Sequence, residues 1–598
     1  MDDTLLRYYE RELSFLREMG AQFARKYPKI AGRLLLEPDR CEDPHTERLI
    51  EAFALIAGRI HRKIDDGFPE ITESLFHILH PHYINPIPSM TVVRFDPVKQ
   101  TVGPPGFVVE KGTQLYSKPV GGAACQFAVA FPVTILPVEV RQAGVQEPRR
   151  MAQGARQDIS IGLETLNAID VSRIQADKLR FYLNGSHQSV FALYELLFNH
   201  VTALEIHGLG SGGSPAAFQL PPGSLKQVGF EDDEALIPAT PRSFPGYLRL
   251  LEYFTFPEKY LFFDIAGLSS ALQGLHGTAF EIRISIDRPV PPGIVIDADT
   301  FCLNAAPAVN LFRKTAEPIR LDRRSTEYRV IPDLRRQDAT EVYHVERVVS
   351  AAATDPSRTL EIRPLYSLSH HEAHEGPQVF WHMRRVPSPR KGDNGTDVYL
   401  SFTDAALSPA DPGVETVTVS TVCTNRDLPG RLPFGDPSGD FTMESPAPLA
   451  RISCLVKPTQ TRRPGLQGAL QWRLISHLSL NHLSLVSGGA DPLKEILSLY
   501  DFEDSPSTRQ QISGIVGLDT RHVTRRVKGS FCRGLLVRVT FDEDKFVGSS
   551  MFLLASVLER FLAHYVSINS FVQLEALSLQ RRGAVRLWPP RNGNRILA

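Results

Sequence analysis

Little in this sequence of 598 residues invites chemistry. Cysteine is scarce. Cys41, Cys125, Cys302, Cys423, Cys454 and Cys532 lie far apart with no C-x-x-C pair, which excludes a disulfide-stapled scaffold and leaves no recognisable zinc knuckle. Net charge is almost absent, with 66 Lys and Arg against 67 Asp and Glu, so the chain offers no global electrostatic footprint for a phosphate backbone. No uncharged apolar run reaches the roughly 18 residues that a membrane-spanning helix requires. The opening MDDTLLRYYERELSFLREMG is charge-studded and lacks the basic start and apolar stretch of a signal peptide. These absences predict a cytoplasmic protein with no nucleic-acid partner and no direct membrane insertion.

Catalytic signatures are missing too: there is no P-loop, no G-x-S-x-G elbow and no nucleophilic-cysteine motif. Three near-motifs fail on physical grounds. Gly208-Leu209-Gly210-Ser211-Gly212-Gly213 fits G-x-G-x-x-G, but Pro215 and PAAFQLPPG follow where a phosphate-facing helix would have to begin. His77, His80 and His82 are close in sequence, but Pro81 breaks the helix between them and no carboxylate completes a ligand set. In His370-His371-Glu372-Ala373-His374 the glutamate is displaced from the position that H-E-x-x-H demands. The acidic runs Glu231–Glu234 and Asp542–Asp544 read as solvated turns rather than paired acid and base. No catalytic residue, cofactor or metal is expected, although a hydrolase with a dispersed site stays open.

What is present is length and pattern. A chain this long exceeds one hydrophobic core, so several domains are expected. Over residues 3–27, Leu6, Tyr9, Leu13, Leu16, Gly20, Phe23 and Tyr27 recur at alternating steps of three and four, the a/d seam of a helix packed along another helix. Asp43-Pro44 predicts a second helix with the apolar face Leu49, Phe53, Ile56, Ile60 and Ile64. Pro69-Glu70 predicts a third, carrying Ile71, Leu75, Ile78 and Leu79 until Pro81. These helices either complete one another or await a partner chain.

From Met90 the pattern changes to short β-rich segments punctuated by proline and glycine, interrupted by the helical SVFALYELLFNHV. After about residue 456 helices at 492–500 and 548–566 flank the strand GLLVRVTFDED. The expected fold class is multidomain α+β: an N-terminal amphipathic helical segment (1–88), β-rich domains over 89–290 and 291–455, and a C-terminal mixed α/β domain (456–598) with a basic tail. That tail, Arg581, Arg582, Arg586, Arg591 and Arg595 around Trp588, is expected to be solvated and to touch a partner. A flexible joint is expected near the proline-rich stretch 81–88.

Several segments are oddly specific: ITESLFHILHPHYINPIPS, EYFTFPEKYLFFD (252–264), APAVNLF (306–312), AEPIRLD (316–322), CTNRDLP (423–429), PTQTRRP (458–464), WRLISHLSLN, VLERFLAHYVSINSF and RLWPPRNG. In this order, behind YYERELSFLRE and FARKYPKIAGRL, they resemble the TssF family of type VI secretion baseplate subunits nearly end to end. The resemblance implies a scaffold without enzymatic activity. Two copies would join one TssG as the body of a wedge like that of contractile phage baseplates, on which sheath and tube assemble. TssK, TssE and VgrG would be neighbours, and docking at the inner-membrane complex would run through other subunits. Leu6, Tyr9, Leu13, Leu16, Phe23 and Tyr27 would then face TssG and the second copy. A β-rich carbohydrate- or protein-binding module is the competing reading, and it predicts an exposed aromatic platform.

Overall fold

The computed structural model describes residues 3–32, 43–65, 69–148, 154–209, 217–239, 243–322, 324–352, 355–367, 379–403, 416–465, 489–502, 505–527, 530–566 and 570–592. The chain divides into two units, one of residues 1–77 with 465–479, the other of 78–464 with 480–598. Helices and many sheets make it a multidomain, β-rich α+β protein.

The first unit is helical. Asp3–Lys26 and Pro44–Asp65 are its long helices, and Pro69–Leu79 follows. Proline occupies the first position of both later helices, where its missing N–H costs nothing. Asp43 accepts from the His45 amide at 3.0 Å and from the Thr46 hydroxyl at 2.9 Å, closing the Pro44 end.

In the second unit Met90–Pro97, Ala305–Val309, Gln126–Val129, Gln114–Ser117, Phe441–Met443 and Leu449–Cys454 close a barrel. Phe95 faces Ile452 and Val92 faces Pro307 across its antiparallel ladders. A six-stranded barrel has a narrow interior, filled here by Val93, Phe95, Leu115, Phe127, Phe441 and Ile452 with the small Ala306 and Ala308 between them. The barrel takes strands from both sides of the expected 290/291 boundary, so no break between sheets falls there. A five-stranded and a four-stranded sheet lie within 138–302, and the helix His187–Asn199 touches strands of both. An eight-stranded sheet occupies 312–424.

Towards the C-terminus Ser530–Phe541 and Ser570–Ser578 pair in parallel. Parallel neighbours require a crossover, supplied by the helix Met551–Ala563. This helix is buried from Met551 through Glu559 and packs on Pro245–Thr255 and on the sheet, which accounts for its nearly continuous apolar sequence. Among the described residues no helix is long and apolar enough to cross a membrane.

The barrel and the eight-stranded sheet meet in a buried polar junction. Asn310 and Asn425 exchange hydrogen bonds at 2.8 and 2.7 Å, and the Gln126 amide donates to Asn425 at 2.8 Å. Arg426, held at φ 50°, donates to the Thr340 and Thr396 carbonyls at 3.0 and 3.1 Å and to Asp397 at 3.1 Å. Arg385 donates to the Val342 and Tyr343 carbonyls and to Asn85. Glu341 accepts from the Thr396 amide at 2.8 Å and from Arg463 at 2.7 Å, and Arg463 also reaches Asp427 at 2.7 Å. Burial opposes ionisation of Glu341, but the Arg463 guanidinium outweighs it and holds the carboxyl below its ordinary range. A Cβ at Gly395 would lie 2.1 Å from the Arg426 guanidinium, so only glycine fits beneath that side chain. The specificity of CTNRDLP and PTQTRRP thus has a physical source: both close this junction.

Glu341→Ala is expected to leave Arg463 and Arg385 short of a buried counter-charge, at roughly 3–5 kcal/mol. Urea unfolding followed by tryptophan fluorescence checks this, and an unchanged midpoint would remove the junction's importance.

Candidate interaction surfaces and buried clusters

The two long helices pack through small residues. A Cβ on Gly58 would lie 3.1 Å from the Tyr9 amide nitrogen and 3.2 Å from the Tyr8 carbonyl carbon, so the backbones nearly touch there. Ala54, one turn away, is buried, and Arg17 donates to Glu47 at 3.1 Å. Contact of Tyr9 with Gly58 and of Arg17 with Glu47 makes the pair antiparallel.

This arrangement places the large side chains elsewhere. At 100° per residue Leu49, Phe53, Ile56 and Ile60 form one stripe on the side of the Pro44 helix opposite Ala54 and Gly58. Leu49 and Phe53 are 69% and 67% exposed, and Ile56 and Ile60 are each 54% exposed. On the N-terminal helix Tyr9, Leu13 and Leu16 are half-buried, while Leu6, Phe23 and Tyr27 are exposed, as are Phe15 and Met19 beside them. The partner helix meets the N-terminal helix with alanine and glycine and turns its own large residues outward, so the seam read from the sequence is only half covered, at Tyr9, Leu13 and Leu16. Among the described residues no helix packs on this stripe, whose spacing of four, three and four residues is that of a helix-packing surface.

The histidines of HILHPHY divide between the units. In the second, His80 is fully buried, its Nε2 3.2 Å from the Tyr500 hydroxyl and its ring against Tyr83, Tyr247 and Tyr500. His82 Nε2 lies 3.4 Å from the Ser243 hydroxyl. Burial lowers the pKa of His80 well below the usual value, and lowers those of His82 and His344 to about 4. Among the described residues no group of three His, Cys, Asp or Glu is arranged to hold a metal.

The remaining sequence candidates resolve as structure. His370–His374 and the glycines after Leu209 lie outside the described residues. Glu234 accepts from the Gly229 amide at 2.7 Å, Asp232 pairs with Arg249 at 2.8 Å, and Glu543 pairs with Arg581 at 2.6 Å. Cys125, Cys302, Cys423 and Cys454 are buried, and desolvation pushes the first and the last two thiols up to about 12 and Cys302 to about 11, the opposite of an activated nucleophile. EYFTFPEKYLFF is buried rather than an exposed platform. Its Lys259 pairs with Glu252, whose carboxylate also accepts from the Leu236 and Ile237 amides at 2.7 and 3.1 Å.

Two expectations need correction. Three of the C-terminal arginines are not solvated: Arg581 and Arg591 are half-buried and pair with Glu195 and Glu559, while Arg586 lies over Phe552 and the buried Trp588; Arg582 is exposed, and Arg595 lies outside the described residues. The tail pairs as a strand with Ser570–Ser578, which draws its cations onto internal acids. The 81–88 stretch is not loose either. It is buried throughout, Ile87 bridging to Arg462 and Asn85 accepting from Arg385.

The comparisons agree with one another. A family model described as "Type VI secretion system, TssF" matches residues 1–595. The chain is 35% identical to type VI secretion system component TssF1 of Pseudomonas aeruginosa over 631 aligned positions, covering all of both chains. It is similar to a chain of a type VI secretion TssK-TssF-TssG baseplate subcomplex, with TM-score 0.75 and 27% identity over 92% of this chain and 99% of that one. A chain of a type VI secretion baseplate complex shares the fold at TM-score 0.59, with 24% identity over 99% and 100% of the two chains.

Acid is expected to weaken the second unit before its carboxylates titrate. The buried His80 and His82 and the half-buried His344 are neutral when folded and take up protons near pH 6.5 when unfolded, so their contribution is complete above that pH and is lost as pH falls towards 4. At pH 5 the loss is about 2 kcal/mol each for His82 and His344. Urea titrations at pH 7.5 and 5 should show the drop, and His82→Gln should flatten it. Equal midpoints at both pH values would refute the assignment.

Proposed function

The chain belongs to the TssF family of type VI secretion systems, a structural component of the baseplate, and from that premise we propose that it is a wedge subunit built around its N-terminal helical segment. One observation carries the reading: the Leu49, Phe53, Ile56 and Ile60 stripe stands open to water beside a seam that is only half covered. Burying four large apolar side chains is worth on the order of 10 kcal/mol gross, enough to hold a helical bundle between chains.

The partner interface takes in Leu6, Tyr9, Leu13, Leu16, Phe23 and Tyr27 together with that stripe. Its occupants are TssG and a second copy of this chain, two copies to one TssG. The description of the similar subcomplex, in which a TssF chain is found with TssK and TssG, supports TssG as one of these partners. TssK, TssE and VgrG are its neighbours in the assembled baseplate, on which sheath and tube are built. The site of action is the cytoplasmic face of the inner-membrane complex, reached through other subunits. The β-rich unit and the C-terminal α/β domain act as its rigid arms.

Co-expression with TssG followed by native mass measurement is expected to give two copies of this chain per TssG. Phe53→Ser combined with Ile56→Ser should abolish that complex and leave the chain's own melting profile unchanged, because both side chains are already in water. A complex of unaltered mass would place the TssG interface elsewhere.

A further inference from the structure

The C-terminal sheet ends in a strand, Ile515–Val527, that pairs on one side only among the described residues. Among the described residues, its hairpin partner Ser530–Phe541 meets Ser570–Ser578 from Arg533 onward. A long edge strand is a template for further pairing, and folded chains normally blunt one with proline, a bulge or a covering segment. This strand contains no proline, and its register shift lies at the far end, between Ile515 and Gly517. Arg521 and His522 are both exposed, and so are Thr524 and Arg525. Successive residues point to opposite faces, so neither face of the strand is covered here.

The charge on this edge is mostly positive. Residues 519–533 contain five basic side chains and one acid, Asp519. Arg538, deeper in the hairpin, pairs with Glu575 at 2.7 Å, whereas Arg521, Arg525 and Arg533 have no ion-pair partner among the described residues. Phe531, which pairs with position 526 across the hairpin, is 81% exposed, more than any other large apolar side chain described. Arginine beside an exposed aromatic is the composition of a binding surface rather than of a solvated one.

We propose that the outer edge of Ile515–Val527 takes up an extended acidic segment of another protein as an added strand. Backbone hydrogen bonds supply the register. Arg521 and Arg525, two alternations apart on one face, pair with carboxylates at matching positions of the segment. Between them on the edge strand, His522 and Thr524 point to the other face, with Phe531 one strand further in, so the segment recognised alternates acidic and uncharged residues. A second copy of this chain would bring the same positive excess to the edge, and like charges oppose that pairing.

The test uses the full chain and a fluorescein-labelled eight-residue peptide of alternating Glu and Val, with a Lys-for-Glu control and an N-methylated control. Binding of the Glu peptide is expected to slow amide hydrogen exchange over 517–525 and to weaken with salt. Arg521→Glu with Arg525→Glu should reduce affinity by at least about tenfold without changing the melting profile. The Lys and N-methylated peptides should not bind. No binding at millimolar peptide, or binding that leaves exchange at 517–525 unchanged, would overturn the proposal. Equal binding of the N-methylated peptide would reduce the effect to charge alone and overturn strand addition. Concentration-dependent self-association that protects the same amides would assign the edge to a second copy instead.

Discussion

The ion pair between Glu341 and Arg463 is the contact on which the β-rich unit depends. The barrel and the eight-stranded sheet share crossing chains at 309–312 and 424–441, and each crossing backbone leaves polar groups away from water. Asn310, Asn425, Arg426 and Arg385 satisfy those groups, but they import positive charge into a dry place. Glu341 supplies the opposing charge from the end of the strand Glu341–Ala352, within reach of Thr396 and Arg463. A hydrophobic junction of the same volume could be as stable, but it would not fix the angle between two sheets. Directional bonds from guanidinium forks do. That matters in a structural component of a baseplate.

The helical unit follows the opposite rule. Its long helices meet through alanine and glycine, which bury little, while Leu49, Phe53, Ile56 and Ile60 face outward. A chain folded to stand alone would reverse this order. One polypeptide thus combines a committed part, whose sheets are tied together by directional hydrogen bonds, with a part whose apolar groups remain unspent.

How much of this the sequence discloses depends on the range of the interactions involved. Local signals are legible: the prolines at 44 and 69 start helices, and the three-and-four spacing of the N-terminal seam is seen in the helix it predicts. Which side of the Pro44 helix meets its neighbour is not legible, because the a/d rule ranks Phe53 above Ala54 and Gly58, although close backbone approach selects the small ones. The barrel is hidden for another reason. Its strands are short, and Ala305–Val309 is too poor in bulky residues to read as core until its partners are known. The arginines around Trp588 look like a tail because pairing with Ser570–Ser578, and the acids Glu195 and Glu559, are remote in sequence. CTNRDLP stands out as unusual, but its role requires Glu341 and Thr396, tens of residues away.

Closure of the barrel also has a cost in time. Met90–Pro97 needs Ala305–Val309 on one side and Leu449–Cys454 on the other. On a ribosome adding about 5–20 residues each second, its second edge waits on the order of tens of seconds for its partner. During that interval a strand with an apolar face is paired on one side at most, and the helical stripe emerging before it is already apolar and uncovered. The nascent chain therefore presents sticky surfaces in the order stripe, then strand, well before either can be buried within it. If the stripe is covered by another chain, production of this subunit ahead of that chain would expose both to aggregation, and translation close to it would have a physical advantage written into the order of the strands.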